Sequence, residues 1–179
     1  MRHIALTALL ITALSLPAIA SAGDSAAQLS GTWVLAEQED TIRTRIDDAI
    51  ESIMDQMEGV YAAFRWVARP QLRKFAKVCE RYELRVDGDQ FTWRCDDDGA
   101  QERVFGKGSA PIIGEDGNIY DVRVALNDSA ISMTSDGASG GERAEFLPRD
   151  GSTMVVRKAM YSPHMPDEVS WTMRYRRVQ

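Results

Sequence analysis

The chain has 179 residues, 27 acidic against 21 basic side chains, and a formal net charge of −6. An acidic balance of this kind offers no general attraction for nucleic acid or for anionic membrane surfaces. With two histidines in the whole chain, a histidine-rich metal site is excluded.

The amino terminus reads Arg2-His3, then an apolar run from Ile4 to Leu16, then Pro17 and the small residues Ala20-Ser21-Ala22. A charged start, a short apolar core and a small-residue cleavage site form the layout of an export signal. The run is too short for a spanning helix, which needs about 20 apolar residues. Residues 1–22 are therefore expected to be removed on export. Residues 23–179 would remain as one periplasmic or secreted domain. No cysteine lies near the cleavage point and no later segment is apolar enough to span a bilayer. Neither a lipid anchor nor an integral membrane segment is expected.

The first strand candidate is Gly31-Thr32-Trp33-Val34-Leu35-Ala36, with Trp33 and Leu35 on one face. From Asp40 the period changes. Ile42, Ile46, Ala49, Ile50, Ile53, Met57, Val60, Tyr61 and Phe64 recur at helical spacing, and charged residues fill the other side. Asp40 or Thr41 is the expected N-cap, and Glu37 to Asp40 places acid where the helix dipole favours it. Pro70 disfavours helix at Arg69, so a second short helix is expected from there, carrying Leu72, Phe75 and Ala76. A helical insertion over about 40–76 thus separates the first strand from the rest.

From Val78 onward the period is two. Tyr82, Leu84 and Val86 alternate with Arg81, Glu83 and Arg85. Asp87-Gly88 is a hairpin signal; pairing Val86 with Asp89 sets Leu84 opposite Phe91 and Tyr82 opposite Trp93. Asp-Gly recurs at 98–99, 116–117, 136–137 and 150–151. Between these turns lie strand candidates at 101–106, 119–126, 129–135, 142–147, 152–161 and 168–177. Short connections make antiparallel neighbours the default. The expected fold is mainly β, an antiparallel up-and-down β-barrel of 8–10 strands with a helical insertion between strands 1 and 2. Closure removes the edges of such a meander; a two-sheet sandwich is the alternative.

The expected inward face comprises Tyr82, Leu84, Phe91, Trp93, Tyr120, Val122, Val124, Met133, Phe146, Trp171, Met173 and Tyr175. These side chains either fill a solid core or line a cavity for an apolar ligand. In the register set by Asp87-Gly88, Cys95 shares the face of Trp93 and Cys79 shares that of Arg81. Exported cysteines tend to pair, and strict alternation would require a bulge near Val78–Arg81 to join these two. A Cys79–Cys95 disulfide is expected on the ground of compartment.

No catalytic constellation can be assembled, and the expectation is a protein that is not an enzyme. His164, between Pro163 and Pro166, reads as an exposed loop residue. Asp96-Asp97-Asp98-Gly99 reads as an acidic turn, since calcium wants six to eight oxygens in a longer loop. No metal and no cofactor is implied.

The stretch Leu29-Ser30-Gly31-Thr32-Trp33-Val34-Leu35 resembles the Gly-x-Trp opening of lipocalins and fatty-acid-binding proteins, the calycins. The helical insertion is similar to the helix-turn-helix lid of the fatty-acid-binding branch. Tyr175-Arg176-Arg177-Val178 resembles the basic last strand of calycins, in which a late arginine packs over the Gly-x-Trp tryptophan. Arg177 shares the face of Trp171, Met173 and Tyr175, so the resemblance implies a structural Trp33–Arg177 contact. Fatty-acid-binding proteins hold the ligand carboxylate with Arg-x-Tyr in the last strand; here the residue two before Tyr175 is Met173, and Arg174 lies on the other face. The resemblance implies a small lipophilic ligand, with Trp33, Tyr82, Phe91, Trp93, Tyr120, Trp171, Met173 and Tyr175 as contacts and the inserted helix gating one mouth. The alternative is an envelope protein-interaction module with a filled core, using the helix and the loop at 107–118 as its contact surface.

Overall fold

The computed structural model describes residues 26–178 except 107, 115, 116, 128 and 129; the predicted export signal lies outside the described residues. Ten strands occur in chain order. They are β1 (Gly31–Leu35), β2 (Arg81–Asp87), β3 (Gln90–Cys95), β4 (Gln101–Val104), β5 (Ala110–Ile113), β6 (Ile119–Asn127), β7 (Ala130–Gly137), β8 (Gly140–Pro148), β9 (Thr153–Tyr161) and β10 (Val169–Arg177). Between β1 and β2 run helix α1 (Glu39–Gln56), a 3-10 turn (Gly59–Phe64) and helix α2 (Arg65–Phe75).

The strands form one antiparallel sheet in the order β4-β3-β2-β1-β10-β9-β8-β7-β6-β5. The first strand pairs with the last, Trp33 opposite Arg177 and Leu35 opposite Tyr175. A single sheet zipped at the chain ends curls into a nearly closed barrel, which decides against the sandwich. The two edge strands, β4 and β5, meet without a ladder. The Gly106 N–H donates to the Val124 carbonyl at 3.1 Å beside that gap.

Four local details differ from the sequence reading. The β2–β3 turn is Gly88-Asp89, because Asp87 pairs with Gln90; Leu84 then faces Trp93 and Tyr82 faces Cys95. The slip is two residues, so every side chain keeps its face. Helix α1 starts at Glu39 behind Gln38, placing Asp40 and Thr41 inside its first turn. It ends at Gln56, ahead of Gly59 at φ +58°. Helix α2 begins before Pro70 and contains it, one ladder hydrogen bond short because proline has no N–H. Finally, part of the expected loop at 107–118 is strand β5. It is an edge strand, the place in a sheet where Pro111 is tolerated.

Helix α1 lays Ile42, Ile46, Ile50, Ile53 and Met54 onto the barrel, packing chiefly against β10. Each buried aliphatic side chain contributes about 1.5–3 kcal/mol. Helix α2 buries no side chain completely. Arg69 to Glu51 at 2.6 Å and Arg73 to Asp47 at 2.7 Å tie it to α1.

The closed side of the barrel is riveted at β1. Trp33 is fully buried and its indole Nε1 donates to the Leu29 carbonyl at 2.7 Å. The Arg177 guanidinium lies 4.5 Å from the centre of the Trp33 ring. It also donates to the Ser30 carbonyl at 2.8 Å and to the Gln28 carbonyl. Gly31 sits at φ +143°, and a Cβ there would meet Arg177 Nη1 at 3.2 Å. Glycine, tryptophan and arginine in this arrangement are thus one packing unit.

Arg177→Met is expected to lower stability by about 1–3 kcal/mol through loss of the cation–π contact and the carbonyl hydrogen bonds. Gly31→Ala should also destabilise. Urea unfolding followed by tryptophan fluorescence checks both.

Candidate functional site

In an antiparallel meander alternate turns lie at one end. The helices connect β1 to β2, so the β3–β4, β5–β6, β7–β8 and β9–β10 turns share the lid end of the barrel. The expected inward residues lie inside. Tyr82, Leu84, Phe91, Trp93, Val122, Val124, Phe146, Trp171, Met173 and Tyr175 are buried, while Tyr120 and Met133 are half-buried.

Of the eight predicted contact residues, five share an aromatic interior, and Trp171, buried on β10, lines a charged cleft with Arg143 and Arg157. Tyr82 lies 5.4 Å from the Phe146 ring and 5.2 Å from that of Tyr175, and Phe91 lies 5.5 Å from Trp93 and 5.8 Å from Phe146. Phe146 belongs to β8, across the barrel from β2 and β3, so rings meet through the middle of that side. Met173 lies beside Tyr175, whose hydroxyl is 3.6 Å from the Met173 sulfur. Trp33 sits apart beneath Arg177 and the 26–30 turn. Tyr120 sits apart as well, on β6 near the gap.

Sequence reasoning missed the gap. Five inward-facing apolar residues on that side, Phe105, Ile112, Tyr120, Leu126 and Met133, are only partly buried, while Val122 and Val124 of β6 are buried. Their counterparts on β9 and β10, Met154, Val156, Met173 and Tyr175, are fully buried. Periodicity names the face of a residue, but not whether its neighbouring strand is paired. The lid end is also apolar outside: Trp66 is 77% exposed, Phe64 58%, Ile113 78% and Ile119 66%. Two charged clefts of about 420 Å³ each are also present, one including Arg81, Glu83 and Arg94, the other Arg143, Glu145 and Arg157.

The disulfide Cys79–Cys95 is present, with Cα atoms 5.4 Å apart. No bulge is needed. β2 starts at Arg81, so Cys79 lies in the segment after α2, where strand alternation does not act. The bond ties the lid's exit to the end of β3. Beside it Tyr175 donates to the Cys79 carbonyl at 2.8 Å. The acidic turn supports the same corner: Asp96, at φ 51°, accepts the Arg81 N–H at 2.8 Å, and Lys77 pairs with Asp98 at 2.7 Å. His164 is exposed, its ring 6.0 Å from Tyr61.

Three tyrosines hold their protons unusually tightly. Burial, then the Glu142 and Asp96 carboxylates, raises Tyr82 far above the ordinary range. Burial, with Tyr82 and Asp96 behind it, does the same for Tyr175. Tyr161 is pushed up to about 12 by burial and by its hydrogen bond to Asp136.

No family model and no curated protein matches this chain. Solved structures do. The REP1-NXSQ fatty acid transporter shares 18% identity and a TM-score of 0.54, over 86% of this chain and 98% of that one. Fatty-acid-binding protein 1 of Echinococcus granulosus gives 13% and 0.52, over 85% and 98%. The Schistosoma mansoni fatty acid binding protein in complex with arachidonic acid gives 17% and 0.51, over 87% and 99%. The chain therefore has the calycin fold in the form of the fatty-acid-binding proteins, with ten strands and a helix-turn-helix between strands 1 and 2. At these identities the likeness shows the fold.

Two expectations follow. The unfolded chain releases tyrosine protons near pH 10 while Tyr82 and Tyr175 in the folded chain retain theirs, so stability is full below about pH 10 and falls as pH rises above it. Urea titrations across that range should show the decline, and Tyr82→Phe should flatten it. Helix α2, which packs only the partly buried Ala68 and Leu72 against the core and is otherwise tied by surface ion pairs that contribute about 0–1 kcal/mol each, should exchange its amides faster than α1 or β10, as read by hydrogen–deuterium exchange.

Proposed function

We propose that this chain is an exported carrier that holds a small lipophilic molecule on the gap side of its barrel and does no chemistry on it. The observation that carries this reading is the asymmetry of the interior. Phe105, Ile112, Tyr120, Leu126 and Met133 face inward and yet stay partly exposed, with Val122 and Val124 buried between them, whereas Met154, Val156, Met173 and Tyr175 of the opposite wall are fully buried. A lipophile covering those five side chains would gain about 25 cal/mol for each Å² of apolar surface removed from water. Among the eight residues expected from the sequence, Tyr120, Phe91 and Trp93 are nearest this side in the sheet order, Phe91 stacking on Phe105 at 6.0 Å. Trp33 is assigned to the floor, and Tyr82, Trp171, Met173 and Tyr175 to the wall behind the ligand.

Several observations support the remaining parts of the reading. The layout of residues 1–22 and the Cys79–Cys95 disulfide suit an oxidising compartment outside the cytoplasm. The exposed Phe64, Trp66, Ile113 and Ile119 at the lid end suit an apolar entrance. The proteins sharing the fold are described as fatty acid transporters and fatty-acid-binding proteins, which supports a lipophilic cargo. No helix among the described residues is long and apolar enough to cross a membrane.

The cross-barrel contacts of Tyr82 and Phe91 with Phe146 favour a second reading, a filled barrel that serves as a protein-interaction module. One experiment separates the two. Native mass spectrometry of gently purified protein should reveal a co-purifying lipophile, and Nile red fluorescence should rise on binding. Met133→Trp, which fills the gap side, should weaken Nile red binding about tenfold or more with the thermal midpoint retained. A protein that carries no small molecule and leaves the dye dark would overturn the carrier reading in favour of the filled module.

A further inference from the structure

The outer face of the barrel has a charge pattern of its own. β1, β10 and β9 are neighbours in the sheet. Among the described residues, their outward positions include Arg157, Arg174 and Arg176 and no carboxylate, in a chain whose net charge is −6. All three arginines are exposed. Arg157 reaches Glu145 of β8 at 3.6 Å. Arg174 and Arg176 have no ion pair among the described residues. Glu37, the acid near Arg174, is engaged otherwise: it accepts the Arg174 backbone N–H at 2.8 Å and pairs with Arg45 at 2.9 Å. Across Val34 of β1 the row that holds Arg176 continues to Arg81 of β2. Arg81 and Arg94 share the single carboxylate of Glu83, so positive charge is in excess there as well.

The register sets the spacing of these charges. Arg157 is the diagonal neighbour of Arg174, a step of about 7–8 Å. Arg174 and Arg176 are two apart on one strand, about 6.5–7 Å, and Arg176 and Arg81 are two strands apart, about 9.5–10 Å. The four arginines thus form a track across the sheet at fairly even intervals. Val155, directly opposite Arg174, is 9% exposed although it points out of the barrel. Long side chains beside it cover it, as arginine stems do while their guanidinium stays in water. Thr32, Thr153 and Thr172 add hydroxyls to the same face.

We propose that the outer face of β9, β10 and β1 is a docking surface for a linear acidic polysaccharide, whose carboxylate or sulfate groups seat on Arg174 and Arg176 with Arg157 and Arg81 at the ends of the track. The planar fork of arginine matches such groups with two parallel hydrogen bonds. A protein partner would want an apolar, aromatic centre to its interface, and a bilayer would want apolar side chains to bury. Among the described residues, no large apolar side chain on β1, β2, β9 or β10 is exposed. A single-stranded nucleic acid would want rings to stack on, and no ring stands outward among these four arginines. A glycan chain with acids at regular intervals needs only charge and hydrogen-bonding groups. The acidic remainder of the chain turns away from the polyanion, which orients this face toward it. The surface lies on the other side of the sheet from the barrel interior, so it is independent of the carrier reading. It would hold the chain at an acidic glycan layer with the interior left free.

The test is fluorescence anisotropy of fluorescein-labelled heparin, a sulfated glycan, and labelled polygalacturonate, a carboxylated one. The chain should bind at least one of them at low salt, and binding should weaken as salt is raised. Arg174→Gln and Arg176→Gln together should weaken it about tenfold or more, with the thermal midpoint and Nile red binding unchanged. Arg123→Gln, on β6 and outside the track, should leave glycan binding as it is. Failure to bind either glycan, undiminished binding by the double variant, or an equal fall in Arg123→Gln would overturn the docking surface. Tighter binding of a single-stranded oligodeoxynucleotide or of phosphatidylglycerol vesicles than of either glycan would overturn the polysaccharide as its occupant. Nile red reports the carrier reading separately in every arm.

Discussion

The structure depends on one constraint, the pairing of the first strand with the last. β1 and β10 are far apart in sequence, and only a few residue pairs hold them in register, Trp33 against Arg177 among them. Joining them costs the closure entropy of nearly the whole chain. The return is concentrated at one point: a fully buried indole, a guanidinium over its face, and hydrogen bonds to the carbonyls of residues 28 to 30. Gly31 suits this point because its φ of +143° strains an L side chain and a Cβ there would crowd the guanidinium at 3.2 Å. With the ends joined, a ten-stranded meander has one place left to be open, between β4 and β5 in the middle of the chain.

That opening divides the molecule. On the closed side, rings from β2, β3, β8 and β10 meet across the interior and little water reaches them. On the gap side, Phe105, Ile112, Tyr120, Leu126 and Met133 face inward and stay partly exposed, although β6 and β7 are paired on both sides and Val122 and Val124 are buried. The lid repeats the contrast. α1 is anchored by a stripe of isoleucines on β10, whereas α2 is tied by arginine–carboxylate pairs and leaves Trp66 in solvent. Packing strength therefore falls from the β1–β10 seam toward the gap and α2, and the low-stability end of a fold is where ligand entry is ordinarily found. The disulfide limits that loosening, since it fixes the lid's exit at Cys79 to the end of β3.

Much of the architecture was legible in residue order. Alternation named the inward face, and burial of Tyr82, Phe91, Phe146, Met173 and Tyr175 follows it. Helical spacing named the isoleucine stripe of α1. What local pattern placed poorly were the points where it changes. Asp-Gly marked the first hairpin but not which two residues form the turn. Pro70 suggested a boundary, yet the helix runs through it because the actual break lies at Met57 to Gly59. Cys79 seemed to sit on the wrong face only because the strand was extended two residues too far toward it.

The sequence by itself determined the strand faces and the helical insertion, and its resemblance to the calycins pointed to the Trp33–Arg177 unit. The first two follow from periodicity and residue chemistry, which act over a few neighbouring positions. Tertiary structure alone decided that the meander closes at β1–β10 and stays open at β4–β5. It also decided that Lys158 meets Glu142 while Arg174 and Arg176 meet no carboxylate among the described residues. The physical reason is that solvent access and charge compensation belong to the space between strands, and that space exists only once the chain ends have met.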